Sequence, residues 1–140
     1  MSLEENKAIE QHIMSEMNKG NFAIIDKLFA DSFIYHGPFG IELRGKENLK
    51  KFAADFVAAF PDFHMTIENM IAEDDKVLTR MKIEGTHKGE FARIAPIGKK
   101  IAVASILIAQ FENGKEVESW DCWDRASLLQ QLGAIPSFGE

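Results

Sequence analysis

The hydrophobic period of the chain changes at Phe60-Pro61-Asp62-Phe63, and that change limits the fold more than any other feature. Upstream, apolar residues recur at helical spacing; downstream they alternate at strand spacing, which selects helices packed on a sheet. Ala8, Ile9, Ile13 and Met17 define a first amphipathic helix ending at Gly20, and Ile24, Ile25, Leu28 and Phe29 repeat the pattern briefly. Phe33 to Tyr35 reads as a short strand, broken by Pro38 and Gly40 before a loop that carries His36 and Phe39. A third helix opens at Gly45 and is ended by Pro61. Its apolar face holds Leu49, Phe52, Ala53, Phe56 and Phe60.

Beyond Phe63, Met65, Ile67, Asn69 and Ile71 share one face of a strand that turns at Asp74-Asp75. Further strands are expected over Val77 to Glu84, Lys99 to Phe111 and Glu116 to Asp124. Asn113-Gly114 joins the last two, and that dipeptide between extended runs specifies a type I′ hairpin, because both central residues need positive φ. Asp124 suits the N-cap of a closing helix, Arg125 to Leu132, with Gly133 as its C-cap. The expected fold is a single α+β domain over residues 1–140, a curved antiparallel sheet covered by N-terminal helices and enclosing an apolar pocket.

A formal net charge of −6 argues against nucleic acid or an anionic membrane surface as partner, since both need a basic face. No apolar stretch approaches the roughly 18 residues of a membrane span. The single cysteine, Cys122, excludes an internal disulfide and fits a reducing compartment. With no charged and then apolar leader at the start, a cytoplasmic location is expected. The chain has 11 Phe against one Tyr, a surplus that suits both a packed core and the walls of a site for a small hydrophobic ligand.

Chemistry concentrates in Glu118-Ser119-Trp120-Asp121-Cys122-Trp123-Asp124, where a carboxylate stands between two tryptophans. An apolar wall disfavours the ionised form and raises the pKa, which makes an Asp a usable base near neutral pH. Strand alternation puts Trp123 on the side of Asp121 and turns Trp120 and Cys122 away. A structural role is the competing reading, with the carboxylate only finishing the sheet. His36 and His87 are the histidines placed to supply a hydrogen-bond donor to the same cavity, and no pair of histidines has metal-ligand spacing. No phosphate-binding glycine loop and no Ser/His/Asp arrangement is apparent.

Several short segments keep a common order: Phe60-Pro61-Asp62-Phe63, Gly85-Thr86-His87-Lys88-Gly89-Glu90-Phe91, Pro96 with Gly98-Lys99-Lys100, Asn113-Gly114-Lys115, Trp120-Asp121, and Leu128 to Gly133. In that order and spacing the chain resembles the SnoaL-like polyketide cyclases from Phe22 to Gly133. The resemblance implies a cone-shaped α+β barrel of the nuclear-transport-factor-like kind, with a deep apolar pocket and a homodimer formed through the sheet. It implies that Asp121 is the general acid/base of an intramolecular aldol closure that needs no metal or organic cofactor. The chain departs from the family at Leu107, where the well-known cyclases carry a histidine, and at Arg93, Ala95 and Ile97 in the loop before the long strand. The expected site therefore comprises Asp121 with His36 or His87 as donor, and Trp123, Leu107, Phe39, Phe56, Phe60 and Phe91 around the substrate. The activity this implies is a cyclase or isomerase acting on a small hydrophobic ketone or ester. A non-catalytic binding protein for a small hydrophobic ligand is the alternative that Leu107 leaves open.

Overall fold

A computed structural model describes residues 1–136. Helix α1 (Leu3–Asn18) begins with a reciprocal cap in which Ser2 Oγ accepts from Glu5 N at 3.1 Å and Glu5 Oε1 accepts from Ser2 N at 3.4 Å. Its buried stripe is Asn6, Glu10, Ile13 and Met14, rotated from the expected one, so that Ala8 faces solvent. The shift brings two polar side chains onto the inner face of the helix. α2 (Ile24–Leu28) runs without a turn into β1 (Phe29–His36), a longer strand than Phe33 to Tyr35 that takes in His36 as its last residue. A 3-10 turn at Pro38–Gly40 and strand β2 (Glu42–Arg44) lead to α3 (Lys46–Ala59), whose inward residues match the expected stripe.

Strands β3 (His64–Glu73), β4 (Lys76–Thr86), β5 (Lys100–Glu112) and β6 (Lys115–Trp123) form an antiparallel meander, and α4 (Arg125–Gln131) closes it. The six strands lie in the order β2-β1-β6-β5-β4-β3. Neighbours are antiparallel except β1 and β6, which run parallel. With β2 and β3 as free edges, the sheet is curved but not closed into a barrel. The β5–β6 hairpin turns where expected, with Asn113 at φ 52° and Gly114 at φ 78°. Asp124 caps α4, its Oδ1 accepting from Ser127 N at 3.1 Å. Along the free edge, Asn18 at the end of α1 bonds both backbone groups of Met65, occupying edge positions that would otherwise be open to another chain.

Two bulges change which side chains face inward. One lies between Ile67 and Asn69 in β3; beyond it Met70 and Ala72 turn toward the core while Ile71 is 63% exposed, against the alternation expected from its sequence. The other lies where Gln110 pairs with Glu118 but Phe111 pairs with Glu116, so that Val117 is the extra residue of β6. Past it, Ser119, Asp121 and Trp123 face inward as alternation requires, and Glu116 joins them on the same side. The core divides into three groups, one around Ile25, Phe33 and Val77, one around Phe60, Val103 and Leu128, and one of Met14, Met81, Ile83 and Leu107 that borders a cavity between sheet and helices. No helix among the described residues is long and apolar enough to cross a membrane.

Candidate active site

Asp121 is held by register. On β6 it pairs with Leu107 of β5, while its neighbour Trp123 pairs with Ser105. On the other side, the parallel pairing of β1 sets Tyr35 opposite Ser119. Two hydroxyls therefore converge on one carboxylate: Tyr35 OH donates to Oδ2 at 2.6 Å and Ser105 Oγ donates to Oδ1 at 2.7 Å. Gly37 makes room for this, because a Cβ there would collide with the Tyr35 ring. Burial pushes the Asp121 pKa up, and the bonds from Tyr35 and Ser105 and the nearby Trp123 indole oppose that rise in part. Burial and the Asp121 charge hold the Tyr35 phenol well above its ordinary value, so it stays protonated and remains the donor. The Trp123 indole N–H lies close enough to favour the carboxylate but does not reach hydrogen-bonding geometry; buried on the cavity wall, Nε1 has no partner.

The cavity has a volume of about 130 Å³. Six phenylalanines, four methionines and Leu107 make most of its wall, and none of its lining residues is Lys, Arg or His. An apolar cavity of about 150 Å³ admits a single aromatic ring, so this one is matched to a molecule of that scale. Its polar groups include two further carboxyls, Glu10 of α1 and Glu116 of β6, which are 1% and 2% exposed. The two are hydrogen-bonded to each other. Burial pushes Glu10 up to about 7, with the bond from Glu116 opposing and the Asp121 charge adding to the rise. Burial and then the Glu10 charge push Glu116 well above its ordinary value too. Both carboxyls are thereby held toward their protonated forms, in which one can donate to the other, as expected when two carboxyls share an apolar site without a cation.

The expected site residues separate into three places. Asp121, Trp123, Leu107 and Phe56 line this cavity. Phe39 and Phe91 instead line a second hollow of about 260 Å³ with Arg93, and Phe52 is the wall shared by both. That hollow has no carboxyl or hydroxyl group among its lining side chains. Phe60 is fully buried core, its ring 5.1 Å from that of Phe56. His36 is absent from the lining of either hollow. One residue along β1 from Tyr35, it stacks 5.5 Å from the Trp120 ring and bonds Glu118 Oε2 through Nε2 at 2.7 Å. His87 lies outside both as well. It is completely buried, stacks 5.4 Å from Phe60 and accepts from Ile97 N through Nδ1 at 3.3 Å, tying down the β4–β5 connection.

The sequence reading missed four groups. Tyr35 enters the sequence reading only as the end of a short strand, although the single Tyr of the chain on an apolar strand is a signal in itself. Ser105 requires the β5–β6 register. Glu10 breaks the inner stripe of α1 four residues after Asn6, a break visible once the stripe is drawn through Ile13, Met14 and Met17. Glu116 is inverted by the bulge at Val117, which no alternation pattern announces.

A curved α+β sheet with helices on its inner face, and an apolar carboxylate-bearing cavity between them, is the nuclear-transport-factor-like cone architecture. The family model for SnoaL-like polyketide cyclases matches residues 8–132, and the chain belongs to that family. Among solved structures it is similar to AclR, a candidate hydroxylase from Streptomyces galilaeus, at 27% identity and a TM-score of 0.87, over 97% of this chain and 89% of the other. A candidate polyketide cyclase from Bacillus cereus is 31% identical with a TM-score of 0.77, over 94% and 82% of the two chains. IdmH, a candidate polyketide cyclase from Streptomyces antibioticus, is 25% identical with a TM-score of 0.80, over 91% and 98%. No curated protein matches the chain.

Proposed function

We propose that the chain is an acid/base enzyme, a cyclase or isomerase that removes a proton α to the carbonyl of a small hydrophobic ketone or ester, with Asp121 as the base. The observation that carries this reading is a buried carboxylate of raised pKa at the wall of an apolar, single-ring-sized cavity. Such a step also needs a donor for the oxygen that becomes negative as the proton leaves. The reading assigns that role to the Trp123 indole N–H, buried and unpartnered two residues from Asp121 on the same face. Tyr35 and Ser105 hold the carboxylate in one orientation and, by favouring the charged form, keep its pKa from rising further. The resulting enolate then closes on a second carbonyl of the same molecule or takes the proton back at another carbon. The described relatives are a candidate hydroxylase and candidate cyclases on one fold, which fits a cavity rather than the fold carrying the choice of reaction.

Leu107 favours a second reading. It pairs with Asp121 across the β5–β6 ladder and presents only hydrocarbon to the cavity, as a carrier of a hydrophobic ligand would. Deuterium exchange separates the two. Single-ring ketones such as phenylacetone, incubated with the protein in D2O, are expected to exchange their α-protons at a catalysed rate. Trp123→Phe keeps an aromatic ring against Phe56, 5.6 Å away, and is expected to slow that exchange about a hundredfold. An unchanged rate in Trp123→Phe would remove the indole from the mechanism, and binding without catalysed exchange by the wild type would leave the carrier reading.

A further inference from the structure

We propose that the hollow lined by Phe39, Phe91 and Arg93 is the outer half of the ligand site, and that it takes the carboxylate-bearing tail of a ketone or ester whose apolar head lies in the inner cavity. The inference rests on the inner cavity being the ligand site, as above, and adds the chemical class of the ligand's far end.

Phe52 is the partition between the two hollows. Its ring centroid lies 5.6 Å from that of Tyr35, which donates to Asp121, so the outer hollow begins one aromatic ring away from the base. Phe56 joins the two spaces a second time, with its ring 5.6 Å from Trp123 of the inner cavity and 5.8 Å from Phe91 of the outer hollow. The inner cavity, about 130 Å³, admits a single ring, whereas a molecule with a second carbonyl to close on needs more room. The outer hollow adds about 260 Å³.

Ionisable groups are divided by sign across Phe52. Glu10, Tyr35, Glu116 and Asp121 line the inner cavity, each neutral or negative, while among the described residues Arg93 is the one ionisable side chain lining the outer hollow. A second guanidinium, that of Arg125, sits over the Phe39 ring at 5.6 Å from its centroid. Among the described residues neither arginine is held in an ion pair, although acidic side chains outnumber basic ones 22 to 16 in the chain. A ligand that is neutral at one end and anionic at the other is therefore oriented. The three inner carboxyls repel its charged end, and the outer guanidinium of Arg93 offers a fork that matches a carboxylate. The backbone carries Arg93 at a cost: Ala92 and Arg93 stand at φ 51° and 64°, left-handed values that favour glycine. Two bonds close that turn, Phe91 N donating to Ile94 O at 3.0 Å and Ile94 N to Phe91 O at 2.8 Å.

The probes are γ-benzoylbutyrate, a phenyl ketone with a carboxylate at the end of a short chain, and its methyl ester, titrated calorimetrically into the whole protein at neutral pH, where the carboxyl is ionised. The acid is expected to bind about tenfold tighter than the ester at low salt. Arg93 is exposed, so that advantage should shrink as salt is raised to about 0.5 M. Arg93→Gln should bring the acid to the affinity of the ester and leave the ester unchanged. Arg93→Gly, which suits the left-handed backbone, should do the same and guards against a variant that folds poorly. Both probes should shift the carbon-13 methyl signals of Met14 and Met81, which line the inner cavity, and so report the ring there. The proposal is overturned if acid and ester bind equally at low salt, if the preference survives both Arg93 substitutions, if the acid binds without moving the Met14 and Met81 signals, or if neither probe binds. Binding is read here without turnover, and α-proton exchange is read on phenylacetone, which carries no carboxylate, so the two readings fail separately.

Discussion

Asp121→Asn is expected to reduce catalysed α-proton exchange by about a hundredfold to ten-thousandfold, the usual contribution of a positioned general base. The amide has the same shape but cannot accept a proton at carbon-acid basicity. The fold should survive. Asn Oδ1 can still accept from Tyr35, and its amide can donate to Ser105 Oγ, whose own hydroxyl is free to turn. The substitution also removes a charge that burial disfavours, so stability at neutral pH should be unchanged or slightly higher. Thermal unfolding and far-UV circular dichroism check the second half of this expectation, and exchange read by proton NMR checks the first. A variant that folds normally and exchanges at the wild-type rate would exclude Asp121 as base.

The second large effect is on stability. Glu10 has its pKa raised from 4.5 to about 7 in the folded protein, so folding favours its protonated form. Its stabilising contribution is fully present below the unfolded value of 4.5 and is lost as pH rises from there through about 7. The loss is of order 3 kcal/mol by the usual conversion, and Glu116, raised well above its ordinary value by the same burial, acts in the same sense. The carboxylates with lowered values, Glu16, Asp31, Asp62 and Asp75, act in the opposite sense. They lie at the surface, where solvent and salt screen them, so they do not reverse the trend. Chemical denaturation should therefore give a protein more stable near pH 5 than near pH 8. Glu10→Gln should flatten that profile and raise stability at the alkaline end. A protein that gains stability over this interval would contradict the shared-proton description of Glu10 and Glu116.

The layered architecture was legible because its signals are local. The helical stripe of α3, the Asn113-Gly114 turn and the Asp124 cap each depend on a few adjacent residues and held in the structure. The parallel pairing of β1 with β6 was not legible, since it joins residues more than 80 positions apart, as Tyr35 and Asp121 show. It decides the site, because it delivers Tyr35 to Asp121 and, by the same alternation, leaves His36 stacked on Trp120. Glu116 was hidden for a related reason. A bulge shifts parity without altering composition, so a carboxylate that alternation turns outward faces in. Asp121 and Trp123, downstream of the bulge, kept the parity that the sequence suggested.

The central claim is that ionised Asp121, held in an apolar cavity at raised pKa, takes the α-proton. The direct test is the pH dependence of α-proton exchange set against the titration of the Asp121 carboxyl carbon, followed by carbon-13 NMR in the same protein. The account predicts that the carboxyl titrates above the ordinary aspartate value of about 3.9 and that exchange rises with pH at the same midpoint. An Asp121 that titrates at or below that value, or exchange that ignores its titration, would contradict it.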